Sequence, residues 1–310
     1  MFKYLIVQLS DSSVSYCNYN ASEAKNIISI ENLKSGLLWG VKQGMDIQIL
    51  FPDDDLPDDY NAVMADYDFV SIRSELKSEA DIVVLKSWMS LHNLNRVSTP
   101  AILHTTINEF LNNYNLIVDH LWKFSRLNVS FSDVCNFRDE DVKSYEKALM
   151  TISDKIIENY QSGGLSQFNL LTDRIILSDM NNCNAGVESI TLAPDGKFYI
   201  CPAFYLAESS SVGDPVVGVH IPNQRLLQIE NAPICRICDA FQCRRCVWLN
   251  KKLTNEMNTP GHEQCIMSHI ERRVSGNLLE RMRLYGEFAP DISIPDLDYL
   301  DPFEKIIKYE

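Results

Sequence analysis

The chain has 310 residues, 45% of them hydrophobic, and a formal net charge of −14. This length and composition are typical of a globular protein with one large domain or two ordinary ones, and they exclude general disorder. The acidic balance argues against nucleic-acid binding, because phosphate contacts need a concentrated basic surface. A peptide or a small molecule is therefore the expected partner.

The N-terminus and the cysteine content both favour a cytoplasmic protein. The stretch MFKYLIVQLSDSS has the pattern of a strand and lacks the small-residue cleavage site of a signal peptide. No apolar run approaches the roughly 18–20 residues that span a bilayer, so no membrane partner is expected. In a reducing compartment the nine cysteines seldom pair as disulfides, which makes metal ligation the leading explanation for them.

The first 175 residues alternate short apolar runs with helical patterns, which predicts an α/β fold of βα units around a largely parallel sheet. The helix at 139–160 is the clearest, because acidic residues fill its first turn and apolar residues recur at three- and four-residue spacing. Further helices are predicted at 31–44, 87–95 and 108–124. Strands are predicted at 4–8, 46–51, 68–73, 81–86, 101–107, 126–132 and 167–172.

Around residue 178 the pattern changes to loops, cysteines and one hairpin. Two strands meet at Asp195-Gly196, a dipeptide that supplies the positive φ angles of a two-residue turn, and the second strand ends at Cys201. A final helix is expected at 266–285, followed by an acidic tail. We therefore predict domains at 1–177 and 178–285, with a C-terminal tail at 286–310.

Seven cysteines lie in this second part and follow a defined spacing. It begins C-x12-G-x4-C, continues as C-x2-C-x4-C-x2-C within CRICDAFQCRRC, and ends with one more cysteine eighteen residues later. Seven thiolates exceed one tetrahedral site, so at least two metal centres, or one centre plus spare thiols, share them. The set is Cys183, Cys201, Cys235, Cys238, Cys243, Cys246 and Cys265.

Zinc and iron–sulfur clusters both remain open on spacing alone. Zinc binds C-x2-C pairs, although zinc-ribbon pairs usually stand about 15–20 residues apart. C-x4-C-x2-C with a distant cysteine also copies plant-type [2Fe–2S] ferredoxins, but that match leaves Cys235 unused. Positive side chains near the cysteines are expected to stabilise an anionic metal centre, and only Asp239 nearby carries the opposite charge. The two lysines among them equally fit a solvated face. These cations are Arg236, Arg244, Arg245, Lys251 and Lys252.

The seven-cysteine pattern resembles the SPASM domain, the C-terminal module of many peptide-modifying radical SAM enzymes. Its first half and last cysteine match the family signature, whereas two central spacings are each one residue short. The resemblance implies two [4Fe–4S] clusters. One would be bound by Cys235, Cys238, Cys243 and Cys265, and the other by Cys183, Cys201 and Cys246. The second set lacks a fourth cysteine, which leaves an open iron, an oxygen ligand such as Asp179, or an unfilled site.

The first half lacks the residues with which radical SAM enzymes bind SAM. The loop after the first strand, LSDSSVSYCNYN, contains Cys17 alone in place of C-x3-C-x2-C, and LFPDDDLPDD stands where the family has Gly-Gly-Glu-Pro. The resemblance thus implies a partial (β/α) TIM-like barrel of radical SAM type without SAM, followed by a SPASM domain. The whole chain is similar to the CXXX repeat peptide maturases of Bacteroidales, pseudo-radical-SAM proteins associated with ribosomally made, post-translationally modified peptides.

Thiols near the carboxyl ends of barrel strands are further candidates for substrate contact. Cys17 follows the first strand and Cys135 the sixth, so each is a candidate for exchange with a peptide thiol or for an extra cluster ligand. A buried structural cysteine is the more common alternative. The acidic run at 53–59 is interpreted as a solvated loop, with attraction of a basic leader peptide as the alternative.

Taken together, we expect a maturation factor that binds a cysteine-containing precursor peptide and carries two [4Fe–4S] clusters, with zinc as the alternative metal. The second hypothesis is a non-catalytic scaffold that delivers the peptide to a separate modifying enzyme. A metal-dependent oxidoreductase unrelated to peptides is the third. No catalytic residue is assigned, and catalysis by the chain alone stays open.

Overall fold

A computed structural model of the chain describes residues 2–17, 26–75, 80–93, 99–177, 183–238, 243, 245–296, 299 and 301. The chain forms two compact units, each built from two separate stretches. The first unit combines Met1–Val84 with Cys183–Asn231, and the second combines Leu85–Asn182 with Ala232–Glu310.

The strand pairings described within the two units are parallel except for the antiparallel pairing of the last two strands. The strands are β1 (Tyr4–Gln8), β2 (Asp46–Leu50), β3 (Val70–Ser74), β4 (Ile82–Leu85), β5 (Ala101–Thr105), β6 (Arg126–Phe131), β7 (Gln167–Phe168), β8 (Ser189–Leu192) and β9 (Phe198–Tyr199). In the first unit the order is β4-β3-β2-β1-β8-β9, and in the second it is β7-β6-β5. A separate two-stranded sheet pairs β10 (Gly213–Asp214) with β11 (Gly218–Val219).

Described helices separate most successive strands through the first 177 residues, and three more helices follow later in the chain. They are α1 (Ile30–Lys42), α2 (Asp58–Met64), α3 (Ser90–Asn93), α4 (Ile107–His120), α5 (Asp141–Gln161), α6 (Asp173–Ile176), α7 (Pro202–Leu206), α8 (Val247–Thr254) and α9 (His262–Arg283). This alternation of strands and helices confirms the predicted α/β fold.

In the first unit, α1 lies directly against the sheet. Its Ser29 cap accepts a hydrogen bond from the backbone N–H of Asn32, as helix starts favour. Gly36 and Gly40 lie one turn apart on its buried side, where an added Cβ would overlap Leu192 and Leu5 respectively. The absence of two side chains therefore sets how closely this helix packs on β1 and β8.

In the second unit, α5 and α9 are the long helices that pack on each other. The buried side of α5 carries Tyr145, Leu149, Ile152 and Ile156, the periodic positions from which the helix was predicted. Tyr145 also packs against aromatic rings of neighbouring elements, with Phe110 at 5.7 Å and Phe137 at 5.5 Å between ring centroids. This aromatic cluster is part of the hydrophobic core of the unit.

One predicted strand is shorter than expected. The run at 167–172 forms strand only at Gln167–Phe168. Beyond Phe168, the side-chain amide of Asn169 makes the hydrogen bonds to β6 that a strand backbone would make. Its Nδ2 donates to the carbonyl of Val129 at 3.0 Å, and its Oδ1 accepts from the N–H of the same residue at 2.9 Å. The chain can then turn into α6 without leaving the backbone of β6 unpaired.

Several described elements were not predicted, namely α2, α6, α7, α8 and the two-stranded sheet of β10 and β11. The acidic run at 53–59 ends in the first turn of α2, where Asp58 and Asp59 stand at the favourable end of the helix dipole. Helix α8 follows directly after Cys246. The predicted division of the chain at 177/178 stays a prediction. In the described parts of the chain, no helix combines the length and the apolar character needed to cross a membrane.

Candidate metal centre

A pocket in the second unit is lined by four of the predicted ligands, Cys235, Cys238, Cys243 and Cys265. The empty space in and around this pocket, open solvent included, amounts to about 420 Å³. Its other lining residues are Arg245, His269, Ile234, Pro260, Gln264 and Ser268. The residues that the resemblance implied for one cluster therefore share one cavity, although they are up to 30 residues apart in sequence.

The first two thiols are presented by a tight turn. Cys235 begins the 3-10 turn Cys235–Ile237, and the N–H of Cys238 donates to the carbonyl of Cys235 at 3.3 Å. Arg245 is only 6% exposed, and its positive charge lowers the pKa of Cys235 against the larger effect of burial. A buried guanidinium carries a desolvation cost that a nearby anion offsets. The turn thus places two thiols beside a cation suited to stabilising thiolate charge.

Helix α9 provides the remaining wall of the pocket. Cys265 and His269 are one turn apart, and residues with this i, i+4 spacing share one helix face. The two side chains are 7% and 4% exposed. His269 Nε2 stands 3.7 Å from the sulfur of Cys238, and burial lowers the pKa of this imidazole. The helix therefore contributes one thiol and one imidazole to the same cavity.

A buried network holds α9 in position. The Tyr145 hydroxyl donates to one carboxylate oxygen of Glu271 at 2.8 Å, and Arg174 Nη2 lies 2.9 Å from the other. Arg174 also donates to the carbonyl of Ser268 at 3.2 Å. Because Ser268 and Glu271 both lie on α9, these contacts fix the rotation of the helix. That rotation decides which side chains face the pocket.

Burial of the thiols disfavours their ionised form. It raises the pKa of Cys243 to about 12, and nearby Cys235 adds to the effect, whereas Arg174 opposes it. It likewise raises the pKa of Cys265 and of Cys235, the latter opposed by Arg245. Without a metal these thiols are therefore protonated at neutral pH. A metal ion that binds here would displace their protons.

The donor set fits metals that prefer sulfur. None of the described lining residues is acidic, so they offer no carboxylate of the kind that calcium and magnesium sites use. Thiolates with an imidazole suit zinc, and thiolates alone suit iron–sulfur clusters. Across the described stretches, no three Cys, His, Asp or Glu side chains already stand where they could hold a metal ion. The pocket thus gathers the donors without fixing them at coordination distances.

The three cysteines predicted to bind the second cluster are placed in separate elements. Cys183 is exposed, and its carbonyl accepts a hydrogen bond from the Ser189 hydroxyl at 3.0 Å. Cys201 is half-buried and caps the start of α7. The sulfur of Cys246 caps α8 and accepts from the N–H of Leu249 at 3.4 Å. Cys183 and Cys201 belong to the first unit and Cys246 to the second. Their shared cluster stays a prediction.

The other candidate thiols lie outside the pocket. Cys17 is half-buried in the loop after β1, and its charge is one cause of the raised pKa of Tyr16, after burial. Cys135 is half-buried in a short turn after β6, and its carbonyl accepts from Arg138 at 2.7 Å. Asp179, the suggested oxygen ligand, lies outside the described residues. Roles for these three residues stay predictions.

Of the cations predicted around the thiols, Arg245 lines the pocket. Arg236 and Lys252 are exposed, and Lys251 is half-buried on α8. Arg244 and Asp239 lie outside the described residues. The solvated-surface interpretation therefore fits Lys252, whereas Arg245 contributes positive charge at the thiols themselves.

Two functional features were missed from the sequence. The first is His269, whose signal was present as Cys265-x3-His269 within a predicted helix. The second is the ion pair of Arg174 with Glu271, whose partners are 97 residues apart. No local pattern connects them, so only the folded chain reveals that pair.

Comparison with known proteins identifies the fold through solved structures. No protein-family model and no curated protein matches the sequence. Among solved structures, native anSMEcpe with bound AdoMet matches with a TM-score of 0.63 over 91% of this chain and 99% of that chain, at 14% identity. The chain has the fold of radical SAM enzymes. The predicted radical-SAM-type architecture is thereby confirmed.

Two further matches are peptide complexes. Native anSMEcpe with bound AdoMet and Cp18Cys peptide matches over 94% of this chain and all of that chain, with 14% identity and a TM-score of 0.63. Streptococcus suis SuiB bound to precursor peptide SuiA matches over 85% of this chain and 76% of that chain, with 12% identity and a TM-score of 0.50. At these identities the likeness concerns the fold.

Glu271→Gln is expected to lower the free energy of unfolding by about 3–5 kcal/mol, because it leaves Arg174 buried without its counter-charge. Urea unfolding measures the change. Glu280→Gln, at an exposed position of α9, is the matched control and should stay within about 0.5 kcal/mol of the wild type. Equal losses in the two variants would contradict the role assigned to the buried pair.

The metal-free, reduced chain is expected to lose stability as the pH rises above about 8.5, the ordinary thiol pKa. The raised pKa values keep the pocket thiols protonated in the folded state while the unfolded chain loses protons, so alkaline pH favours unfolding. Between pH 8.5 and 9.5 Cys243 should cost about 1 kcal/mol, because its pKa of about 12 lies above this range. Urea unfolding at several pH values measures how steeply the free energy of unfolding falls with pH. Cys243→Ala should make this fall shallower, whereas Cys135→Ala, outside the pocket, should leave it unchanged. An equally steep fall in the Cys243→Ala variant would contradict the assignment.

Proposed function

We propose that the chain is a maturation factor for a ribosomally made, post-translationally modified peptide. It binds the precursor peptide and carries auxiliary [4Fe–4S] clusters in a SPASM-type C-terminal part. The observation that carries this proposal is the convergence of Cys235, Cys238, Cys243 and Cys265 on one pocket. These are the four thiols that the resemblance implied for the first cluster, and four cysteines are the ordinary ligand set of a [4Fe–4S] centre.

Buried positive charge supports an anionic centre in this pocket. Arg245 lowers the pKa of Cys235, and Arg174 that of Cys243, in both cases against the larger effect of burial. A thiolate-ligated cluster carries net negative charge, which buried cations stabilise. When bound, such a cluster would supply electron transfer or a binding point for a peptide thiol. The chain's own contribution is to hold the four sulfurs in a largely desolvated cavity next to those cations.

The fold supports a peptide as the partner. The anSMEcpe and SuiB structures that match this chain contain a peptide in two of the cases described above. The formal charge of −14 would favour a peptide with basic character. A cysteine-containing precursor accords with the resemblance to CXXX repeat peptide maturases and with Cys17 and Cys135 as thiols for exchange.

A second cluster is proposed on Cys183, Cys201 and Cys246, with the fourth position taken by Asp179 or left for substrate. The exposure of Cys183 is compatible with contact to an incoming peptide. SAM binding is not part of the proposal, since the loop after β1 carries Cys17 in place of the three cysteines of the family motif.

A non-catalytic scaffold is the second candidate, and one observation favours it. The imidazole of His269 approaches the Cys238 sulfur to 3.7 Å, which adds a nitrogen donor to the pocket and suits a structural zinc ion. In that case the chain would deliver the peptide to a separate modifying enzyme.

Protein purified without oxygen is expected to contain about eight iron and eight sulfide per chain if both [4Fe–4S] clusters form. Cys265→Ala should remove about half of each, because it deletes a ligand of the pocket cluster. Ser210→Ala, at an exposed position outside the pocket, is the control and should retain the full content. Zinc without sulfide in the wild type would instead favour the scaffold.

A synthetic peptide of Cys-Xaa-Xaa-Xaa repeats with added lysines is expected to bind the loaded chain, and to bind more weakly as salt rises, because the chain is acidic. Fluorescence anisotropy measures the affinity, with the same peptide carrying Ser for Cys as control. Mass spectrometry of the peptide after co-expression then separates the candidates. An altered mass supports maturation by the chain, an unchanged mass with binding supports the scaffold, and no binding contradicts both.

A further inference from the structure

The C-terminal segment of the chain runs back along α9, the helix that forms one wall of the thiol pocket. We call residues 288–301 the strap, of which 288–296, 299 and 301 are described. As the strap advances, its contacts move from the end of α9 to its start. The α9 side chains that it contacts, in the order met along the strap, are Arg283, Arg272, His269 and His262.

Side chains of α9 hold the strap by its backbone carbonyls. Arg283 donates to four of them, Arg272 donates to one through two nitrogens at 3.0 and 3.2 Å, and His269 Nδ1 donates to one at 3.3 Å. Residues 292–296 form neither helix nor strand, so their carbonyls are available to such donors. Binding through carbonyls depends little on which side chains the bound segment carries. The acceptors are Phe288, Ala289, Pro290, Ile292, Pro295 and Tyr299.

Few side chains anchor the described part of the strap. Tyr299 and Asp301 are buried, whereas the other described strap residues are exposed or half-buried. The Tyr299 ring packs on His269 with 5.3 Å between centroids, and the Asp301 carboxylate lies 2.5 Å from Nδ1 of His262. A segment that buries so little apolar surface detaches at a lower free-energy cost than an element of the core.

The surface under the strap leads to the thiol pocket. A Cβ added at Gly276 would lie 3.4 Å from the Ile294 carbonyl oxygen, so a residue without a side chain lets the strap lie close to the helix there. Farther along, His269 contacts the strap and also lines the pocket, together with Cys265 one turn away. A peptide that followed the same path would therefore arrive at the pocket thiols.

We propose that this face of α9 binds the precursor peptide, and that the strap occupies the face until the peptide displaces it. The ligand is an open peptide segment recognised mainly through its backbone carbonyls. Such recognition tolerates varied side chains, as the variable positions of a Cys-Xaa-Xaa-Xaa repeat require. The docked strap lowers the apparent affinity for the peptide by the fraction of molecules in which the face is free. The inference rests on the proposed function, because it names the surface that the peptide uses.

The first test uses the full-length wild-type chain and limited digestion with chymotrypsin, which cuts after aromatic residues. Tyr299 is only 7% exposed while the strap is docked. The lysine-bearing repeat peptide described above should therefore speed cleavage after Tyr299 by about fivefold or more, as mass spectrometry of the fragments measures. Cleavage after Trp122, 51% exposed and outside the strap, is the internal control and should keep its rate. Unchanged or slower cleavage after Tyr299 with the peptide bound would overturn the proposal.

Variants of the strap and of the α9 face should change peptide affinity in opposite directions. Tyr299→Ala removes the buried ring of the strap and should tighten binding of the repeat peptide about tenfold in fluorescence anisotropy. In that background Arg283→Met removes the donors to the carbonyls and should weaken binding about tenfold. Tyr285→Ala, at a position that is 56% exposed and precedes the strap, is the control and should change the affinity less than about twofold.

A synthetic peptide with the sequence of residues 286–301 separates this inference from the proposed function. It should bind the full-length Tyr299→Ala variant, and the repeat peptide should displace it. A repeat peptide that binds without displacing the strap peptide would overturn the shared face and leave the proposed function standing. Failure of the strap peptide to bind would also overturn the shared face. If the strap peptide binds and the repeat peptide binds no variant, peptide binding fails in the proposed function as well as here.

Discussion

The candidate site depends on a buried charge pair that orients α9. Arg174 and Glu271 are 4% and 1% exposed, so each has lost its hydration shell on folding. Such a pair is retained only when its geometry compensates for the lost water. The Tyr145 hydroxyl donates to Glu271, and Arg174 donates to the carbonyls of Ser268 and Leu170, which adds hydrogen bonds to both charges. A rotation of α9 by one residue would break these contacts and turn Cys265 and His269 away from the pocket.

The same region joins α9 to the sheet of the second unit through two successive residues of α6. Asp173 pairs with Arg126 on β6 at 2.7 Å, and the next residue, Arg174, pairs with Glu271 on α9. Adjacent charges of opposite sign thus contact separate elements, each with its own counter-charge. The position of the thiol pocket is thereby tied to the regular structure of the unit, although much of its wall comes from irregular chain.

Structural features that depend on neighbouring residues could be predicted from the sequence, whereas features that depend on residues far apart in the chain could not. Strands and the helix at 139–160 were predictable because periodic burial is a local property. Strand β7 was predicted too long because the amide of Asn169 replaces backbone pairing with Val129, which is 40 residues away. The four pocket thiols were grouped through family resemblance, whereas the Arg174–Glu271 pair has no local signature. His269 carried a helical spacing signal that becomes meaningful only once Cys265 is known to face a cavity.

In the first unit, hydrogen bonds fix the described part of the loop after β1, the loop that carries Cys17 in place of the three cysteines of the family motif. The buried carboxylate of Asp11 accepts from the Tyr205 hydroxyl at 2.6 Å and from the N–H of Asn26 at 3.1 Å. Burial, followed by the charge and hydrogen bond of Asp11, raises the pKa of Tyr205, so the phenol stays a donor across the physiological range. Ser10 and Ser12 add hydroxyl contacts within the same loop. Hydrogen bonds therefore organise the described part of this segment, whereas the four thiols that carry the metal proposal lie together in the pocket of the second unit.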